Sequence, residues 1–190
     1  DDNHPWVKIL NKYLQDGYKW NIGGPIVDFK LPPHYDFKQN RLTPHETKKY
    51  FKENGWNKVV GFQTRNPMHR SHYELTKYAM KMAGDDCKLL LHPVVGITQD
   101  CDIDYTVRVK CYKQLMQYYE KDSALLSLLP LAMRMAGPRE AIWHAQIRKN
   151  YGCTHFVVGR DHAGPSYKKK NGEDFYGEYD AQELLIKYAK

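Results

Sequence analysis

Residues 59–72 read Val-Val-Gly-Phe-Gln-Thr-Arg-Asn-Pro-Met-His-Arg-Ser-His, and the order of those residue types decides how the rest of the chain is read. The apolar run 59–62 has the character of a buried strand. The residues after it pass into a helical pattern that Gly84 stops. Asn66 is a helix-capping residue type and Pro67 suits a first helical position, where its missing N–H costs nothing. The spacing therefore predicts a helix over 67–83, with His69 and His72 three apart on one face. Such a turn gathers free backbone N–H groups, a positive helix end, two imidazoles and the guanidinium of Arg65. It is built to hold a polyanion, and phosphate is the common case.

Working outward, Thr43-Pro44-His45-Glu46 is a capping box that opens a helix ended by Gly55. Beyond residue 84, an apolar run over 88–95 reads as a strand and 96–104 as a loop. A helix is predicted around 105–121, a strand over 124–129 ended by Pro130, and a helix from Gly137-Pro138 to about 150. A fourth apolar run over 154–158 is ended by Gly159. Asp180-Ala-Gln-Glu183 reads as a second capping box, opening a helix still running at Lys190. Apolar strands alternating with helices predict an α/β domain with a mainly parallel sheet, both faces covered. Ligands then sit at the carboxyl ends of strands. The turns after Phe62 and Val158 both lie there and can face one pocket. Upstream, residues 1–40 carry turn signals (His4-Pro5, Gly23-Gly24-Pro25, Pro32-Pro33) around one alternating run, 26–31, that reads as a short strand. They are expected to form a lead-in segment wrapping a domain of residues 41–190, C-terminally incomplete.

The net charge of +7 favours an anionic partner without choosing among nucleotide, nucleic acid and oxyanion. The dense basic run Lys168-Lys169-Lys170 reads as a solvated loop, the alternative being an electrostatic funnel. Four scattered cysteines with no Cys-x-x-Cys pair argue against a zinc site or disulfide framework and suit a reducing compartment. No run of about 18 apolar residues is present, so no membrane span is expected. Asp100, Asp102 and Asp104 lack the glycine and terminal glutamate spacing of a hard-cation loop and are read as loop and N-cap residues. His69 and His72 have no third ligand nearby in sequence, which disfavours a metal site.

Beyond these patterns, Gln63–His72 resembles the signature of the ATP sulfurylase (sulfate adenylyltransferase) family, within the H-x-x-H nucleotidyltransferase superfamily. Residues 157–165, Val-Val-Gly-Arg-Asp-His-Ala-Gly-Pro, resemble that family's second signature. Residues 128–140 and 31–35 are also similar, and the resemblance runs from about residue 4 to 185. It implies a Rossmann-like, three-layer domain of the adenylyltransferase HUP type. The implied reaction is MgATP with sulfate to adenosine 5′-phosphosulfate and pyrophosphate, by in-line attack on the α-phosphate. Thr64, Arg65, Asn66, His69 and His72 are then catalytic positions. Gln63, Arg65 and the backbone of Ala163 hold sulfate. Gln63, Thr64, Arg65, Asn66, His69 and His72, with Gly159, Arg160, Asp161 and His162, hold ATP. Mg2+ arrives with ATP. The implied partners are these substrates or their products, with a homo-oligomer allowed and no nucleic acid or membrane; with the scattered cysteines, the expected location is the cytoplasm, an organelle being the alternative. The resemblance also leads us to expect a segment of a longer protein, lacking a β-rich domain before it and a further strand after it. The competing reading is a fragment that binds nucleotide or oxyanion without turnover. No Gly-x-x-x-x-Gly-Lys-[Ser/Thr] loop occurs, so a fused kinase activity has no seat here.

Overall fold

Successive residues of β1 (Val59–Phe62) point to opposite faces of a four-stranded sheet, and each face has its own core. The structure, a computed structural model, describes residues 1–189. β2 (Lys88–Leu91), β3 (Ala124–Leu126) and β4 (His155–Phe156) complete a sheet of order β3-β2-β1-β4. Every pairing is parallel, with Phe62 opposite Leu91 and Gly61 opposite Phe156. Val59 and Leu90 face one core with Phe51, Trp56, Met133 and Tyr151. Val60, Phe62, Leu89 and Leu91 face the other with Val109 and Tyr112. Leu89, Leu90 and Leu91 are wholly buried, and each contributes about 1.5–3 kcal/mol by leaving water.

The helices form the outer layers, giving the three-layer α/β arrangement expected. α2 (Pro44–Glu53) and α5 (Pro138–Asn150) cover the Val59 face. α3 (Arg70–Ala83) and α4 (Tyr105–Leu115) cover the other. α2 starts at the predicted capping box: Thr43 N donates to Glu46 Oε2 at 2.7 Å and Glu46 N donates to Thr43 Oγ1 at 3.3 Å. Those bonds from Thr43 also hold the Glu46 carboxyl below its ordinary pKa. α4 starts at Asp104, whose carboxylate accepts from Thr106 N at 2.8 Å.

Four expectations need correction. The first residues form a helix, α1 (Pro5–Gln15), because His4 Nδ1 accepts from Trp6 N and Pro5 takes the first helical position. His4 anchors it, its Nε2 lying 2.9 Å from the carbonyl of Met135, and Arg134 stacks over Trp6 at 3.9 Å. Residues 26–31 form no strand. Ile26 and Val27 are 83% and 97% exposed, and among the described residues no neighbouring strand supplies the ladder that the alternating pattern requires. The strand predicted over 88–95 ends at Leu91, although Val94 still bridges Leu129. At α6 (Asp180–Tyr188) no capping box forms, because the Asp180 carboxylate accepts instead from Gly177 N at 2.7 Å. The expectation that this helix runs through Lys190 falls outside the described residues. The basic run is internally neutralised: Lys168 pairs with Asp174, Lys169 with Glu173 and Lys170 with Asp2.

Candidate functional site

β1 and β4 are neighbours whose chains leave the same end of the sheet, so the turn after Phe62 and the turn after Phe156 emerge side by side. The first turn is longer than the sequence suggests. α3 begins at Arg70 with His69 at its N-cap, so Asn66 does not cap it and Pro67 is not its first residue. Long-range bonds override the local cue. Tyr112 Oη donates to the Asn66 carbonyl at 2.7 Å and Val94 N donates to the Thr64 carbonyl at 3.1 Å, while within the turn Asn66 N donates to Thr64 Oγ1 at 3.2 Å. The Asn66 side chain is left exposed. The two imidazoles do sit together as expected, with ring centroids 4.2 Å apart. His72 Nδ1 accepts from His69 N at 3.5 Å, and Ser71 Oγ lies 2.9 Å from His69 Nδ1. Burial, aided by His69, holds the His72 imidazole below its ordinary pKa.

Arg65 joins three segments. Its Nη1 pairs with Asp102, whose side chain is 5% exposed, and its Nη2 donates to Ser166 Oγ at 3.3 Å. Asp102 is therefore more than the loop residue read from sequence. Gln99 fastens the same loop to the second turn: its Nε2 donates to Ser166 Oγ at 3.2 Å and its Oε1 accepts from Ser166 N at 2.9 Å. A guanidinium has five N–H donors, so these contacts leave three for a ligand. Gln63 directs its amide nitrogen at Met133 Sδ, 3.6 Å away, while its Oε1 is buried without a partner. Rotating that amide by half a turn places N–H donors at the orphaned position, which suits an anion.

In the second turn, Asp161 and Ala163 adopt positive φ angles of 45° and 61°. Burial pushes the Asp161 carboxyl up and Asp174 adds to this, while Arg65 pulls it the other way. Arg160 points outward to Glu178 at 2.7 Å. His162 Nε2 lies 3.1 Å from His144 Nδ1, and burial with the adjacent His144 and Arg148 presses its pKa down to about 3. The glycines differ in kind. A Cβ on Gly164 would strike the Asp161 carboxylate, so a larger residue there would displace that side chain. Gly159 has neither positive φ nor any neighbour that a Cβ would meet within 4 Å, leaving open space beside the backbone.

Gln63, Thr64, Arg65, Asn66, His69 and His72 thus share one turn, and Arg65 reaches the turn of Gly159, Arg160, Asp161, His162 and Ala163. Among the described residues no hydrogen bond joins His69 or His72 to that second turn. Sequence reasoning missed Gln99 and Ser166, for which no local signal exists, and His144. No cluster of three or more His, Cys, Asp or Glu among the described residues is placed to hold a metal. All four cysteines are free. No helix among the described residues is long and apolar enough to cross a membrane. A cavity of about 280 Å³ lies outside the Gln99 loop against α1, and neither Arg65 nor the two histidines line it. The site is a convergence of turns rather than an enclosed chamber.

The chain is 53% identical to the sulfate adenylyltransferase of Schizosaccharomyces pombe over 190 residues, all of this chain and 38% of that protein. It is 52% identical to that of Saccharomyces cerevisiae over 188 residues, 99% of this chain and 36% of that one. The chain therefore spans about a third of the length of the curated relatives it matches. Among solved structures, a chain described as the hexameric APS kinase from Thiobacillus denitrificans superimposes with a TM-score of 0.62 at 33% identity. That match covers 68% of this chain and 26% of the other. A family model described as ATP-sulfurylase matches residues 38–190, and with it the chain belongs to the ATP-sulfurylase family.

Proposed function

We propose that this chain carries the catalytic site of a sulfate adenylyltransferase, converting MgATP and sulfate to adenosine 5′-phosphosulfate and pyrophosphate. The observation that carries this reading is Arg65, held at the meeting of the two turns with three N–H donors free. Sulfate is a weak nucleophile and, like ATP, an anion. At a 4 Å separation two unit charges repel by about 4 kcal/mol at the effective dielectric of a protein surface. Arg65 offsets that repulsion, and its planar fork matches two oxygens of a tetrahedral oxyanion. Gln63 and the backbone at Ala163 complete the sulfate subsite. His69 and His72, exposed and partly exposed, are assigned to the α-phosphoryl and the leaving pyrophosphate. Thr64 and Asn66 flank them, and Gly159, Arg160, Asp161 and His162 receive the rest of the nucleotide, with Gly159 leaving room for it.

No covalent enzyme intermediate is needed. A sulfate oxygen forms the new bond to the α-phosphorus as the bond to the bridging oxygen of pyrophosphate breaks, so catalysis rests on positioning and charge stabilisation. Mg2+ enters as part of the substrate. We place the protein in the H-x-x-H nucleotidyltransferase superfamily on His69 and His72. We assign it to the cytoplasm, where its free thiols stay reduced, and expect self-association. Identity extending over the whole chain does not favour a binding-only fragment.

The direct test is ATP formation from adenosine 5′-phosphosulfate and pyrophosphate. Failure of a folded, full-length protein to make ATP would remove the assignment. The histidine roles carry a separate expectation. His72 is held low in the free protein, and nearby phosphate charge favours its protonated form. Binding of MgATP should take up protons and tighten as pH falls from about 8 towards the ordinary histidine value of about 6.5. Calorimetry in two buffers of different ionisation enthalpy reads the uptake. Binding without uptake would take His72 out of the phosphate subsite.

A further inference from the structure

Glu140 is buried in the first turn of α5, its Oε1 accepting from Arg134 N and its Oε2 from Ala136 N, each at 2.9 Å. Two N–H groups facing both oxygens mark an ionised carboxylate, since a protonated one would set an O–H against a donor. Burial alone would raise this carboxyl, but the neighbouring His144 and the bonds from the two backbone N–H groups together keep it below its ordinary value. One turn along α5, His144 places Nε2 3.4 Å from Glu140 Oε1. Nε2 makes no hydrogen bond at that separation and is buried without a partner, but the adjacent carboxylate still favours the tautomer that carries its proton there. A bare Nε2 lone pair facing the carboxylate would be repelled, so Nε2 is protonated. A neutral imidazole carries one proton, which leaves His144 Nδ1 bare. Burial keeps His144 neutral, Glu140 opposing this and Arg148 adding to it.

His144 Nδ1 lies 3.1 Å from His162 Nε2. Two bare nitrogens cannot face each other at that distance, so His162 Nε2 donates. His162 is neutral too, and its own Nδ1 is then bare; among the described residues its one hydrogen bond is through Nε2.

We infer that Glu140 and His144 are positioning residues that fix the proton of His162, so that its ring offers a bare Nδ1 lone pair to an N–H or O–H donor on the nucleotide. This rests on the nucleotide reading of the second turn and narrows it. A phosphate oxygen only accepts, so it is repelled by that lone pair. His162 therefore serves the nucleoside portion, where the donors are the exocyclic amine of adenine and the hydroxyls of ribose.

Neutron diffraction from deuterated crystals of the full-length protein reads the proton directly. Deuterium on His162 Nε2 and none on Nδ1 is expected; deuterium on Nδ1 overturns the inference. Variants then test its use. His144→Asn keeps an acceptor oxygen near the Nδ1 position, whereas His144→Leu removes it. By calorimetry, His144→Leu should weaken ATP binding about tenfold, the scale of one polar contact. His144→Asn should restore most of that loss, and inorganic tripolyphosphate should be unaffected by either variant. If ITP affinity does not change in His144→Leu, the adenine amine is the donor; if 2′-deoxy-ATP affinity does not change, it is the ribose hydroxyl. Equal weakening of tripolyphosphate and ATP would show a general structural effect and overturn the inference. A wild-type protein that binds no ATP would instead defeat the proposed function, while the neutron result would still decide the tautomer.

Discussion

Replacing Arg65 with alanine should lower adenylyl transfer by at least about 10²–10³-fold, the loss seen when one preorganised donor to a developing charge is removed. The same change also breaks a largely buried ion pair, since the Arg65 and Asp102 side chains are 16% and 5% exposed. Removing one partner of such a pair costs about 3–5 kcal/mol, because the remaining charge stays desolvated. A single variant therefore confounds catalysis with stability. The double variant Arg65→Met with Asp102→Leu separates them, since it exchanges both charges for apolar groups and should recover most of the stability. Activity should stay at the level of Arg65→Ala. If turnover returns together with the melting temperature, the role of Arg65 is structural and the sulfate subsite lies elsewhere.

The second large effect is expected at Gly61, in the middle of the central strand. A Cβ there would lie 2.9 Å from Arg148 Cγ and 3.1 Å from Cys153 Sγ. Neither neighbour has room to retreat, because Arg148 is wholly buried, its Nη2 donating to the His92 carbonyl at 2.9 Å. Gly61→Ala should cost about 1–3 kcal/mol through overpacking, and Gly61→Val more, enough to threaten a domain of ordinary stability. Urea denaturation with an unchanged m-value would read this as a shift in midpoint. An unshifted midpoint for Gly61→Ala would show that β1 and α5 can move apart freely, contrary to the packing described.

What could be read from the chain was local. Thr43 and Glu46 form their capping box because both halves lie within one turn. The strand 59–62 declared itself because both its faces are buried. The run from Gly137-Pro138 to Asn150 became α5 as expected. The errors came where local cues served two outcomes. His4-Pro5 can mark a turn or a helix start, and it is the latter, with Trp6, Ile9 and Tyr13 repeating at helical spacing behind it. Residues 26–31 alternate like a strand, but a strand exists only where a partner offers its ladder. Asn66 has the chemistry of a cap, yet Tyr112, 46 residues away, claims its carbonyl and delays the helix. The candidate site follows the same division. Its two turns were legible as motifs at strand ends. The bonds that join them were not, because Arg65 meets Asp102 across 37 residues and Gln99 meets Ser166 across 67.

The strand order β3-β2-β1-β4 also has a kinetic consequence. β1, β2 and β3 pair as they follow one another in the chain, with α3 between the first two and α4 and a short 3-10 turn between the second and third. β4 must instead return to β1, where Val59 N donates to Thr154 Oγ1 across 95 residues. Closing so long a loop is entropically the most demanding pairing in the sheet, and it is rewarded only once α5 is in place. The β3-β2-β1 portion should therefore be acquired early and β4 late, as pulse-labelled hydrogen exchange during refolding would reveal. During synthesis the turn bearing Arg65 leaves the ribosome long before the turn bearing His162. Until the last strand docks, the chain has one half of its candidate site and no means of closing it.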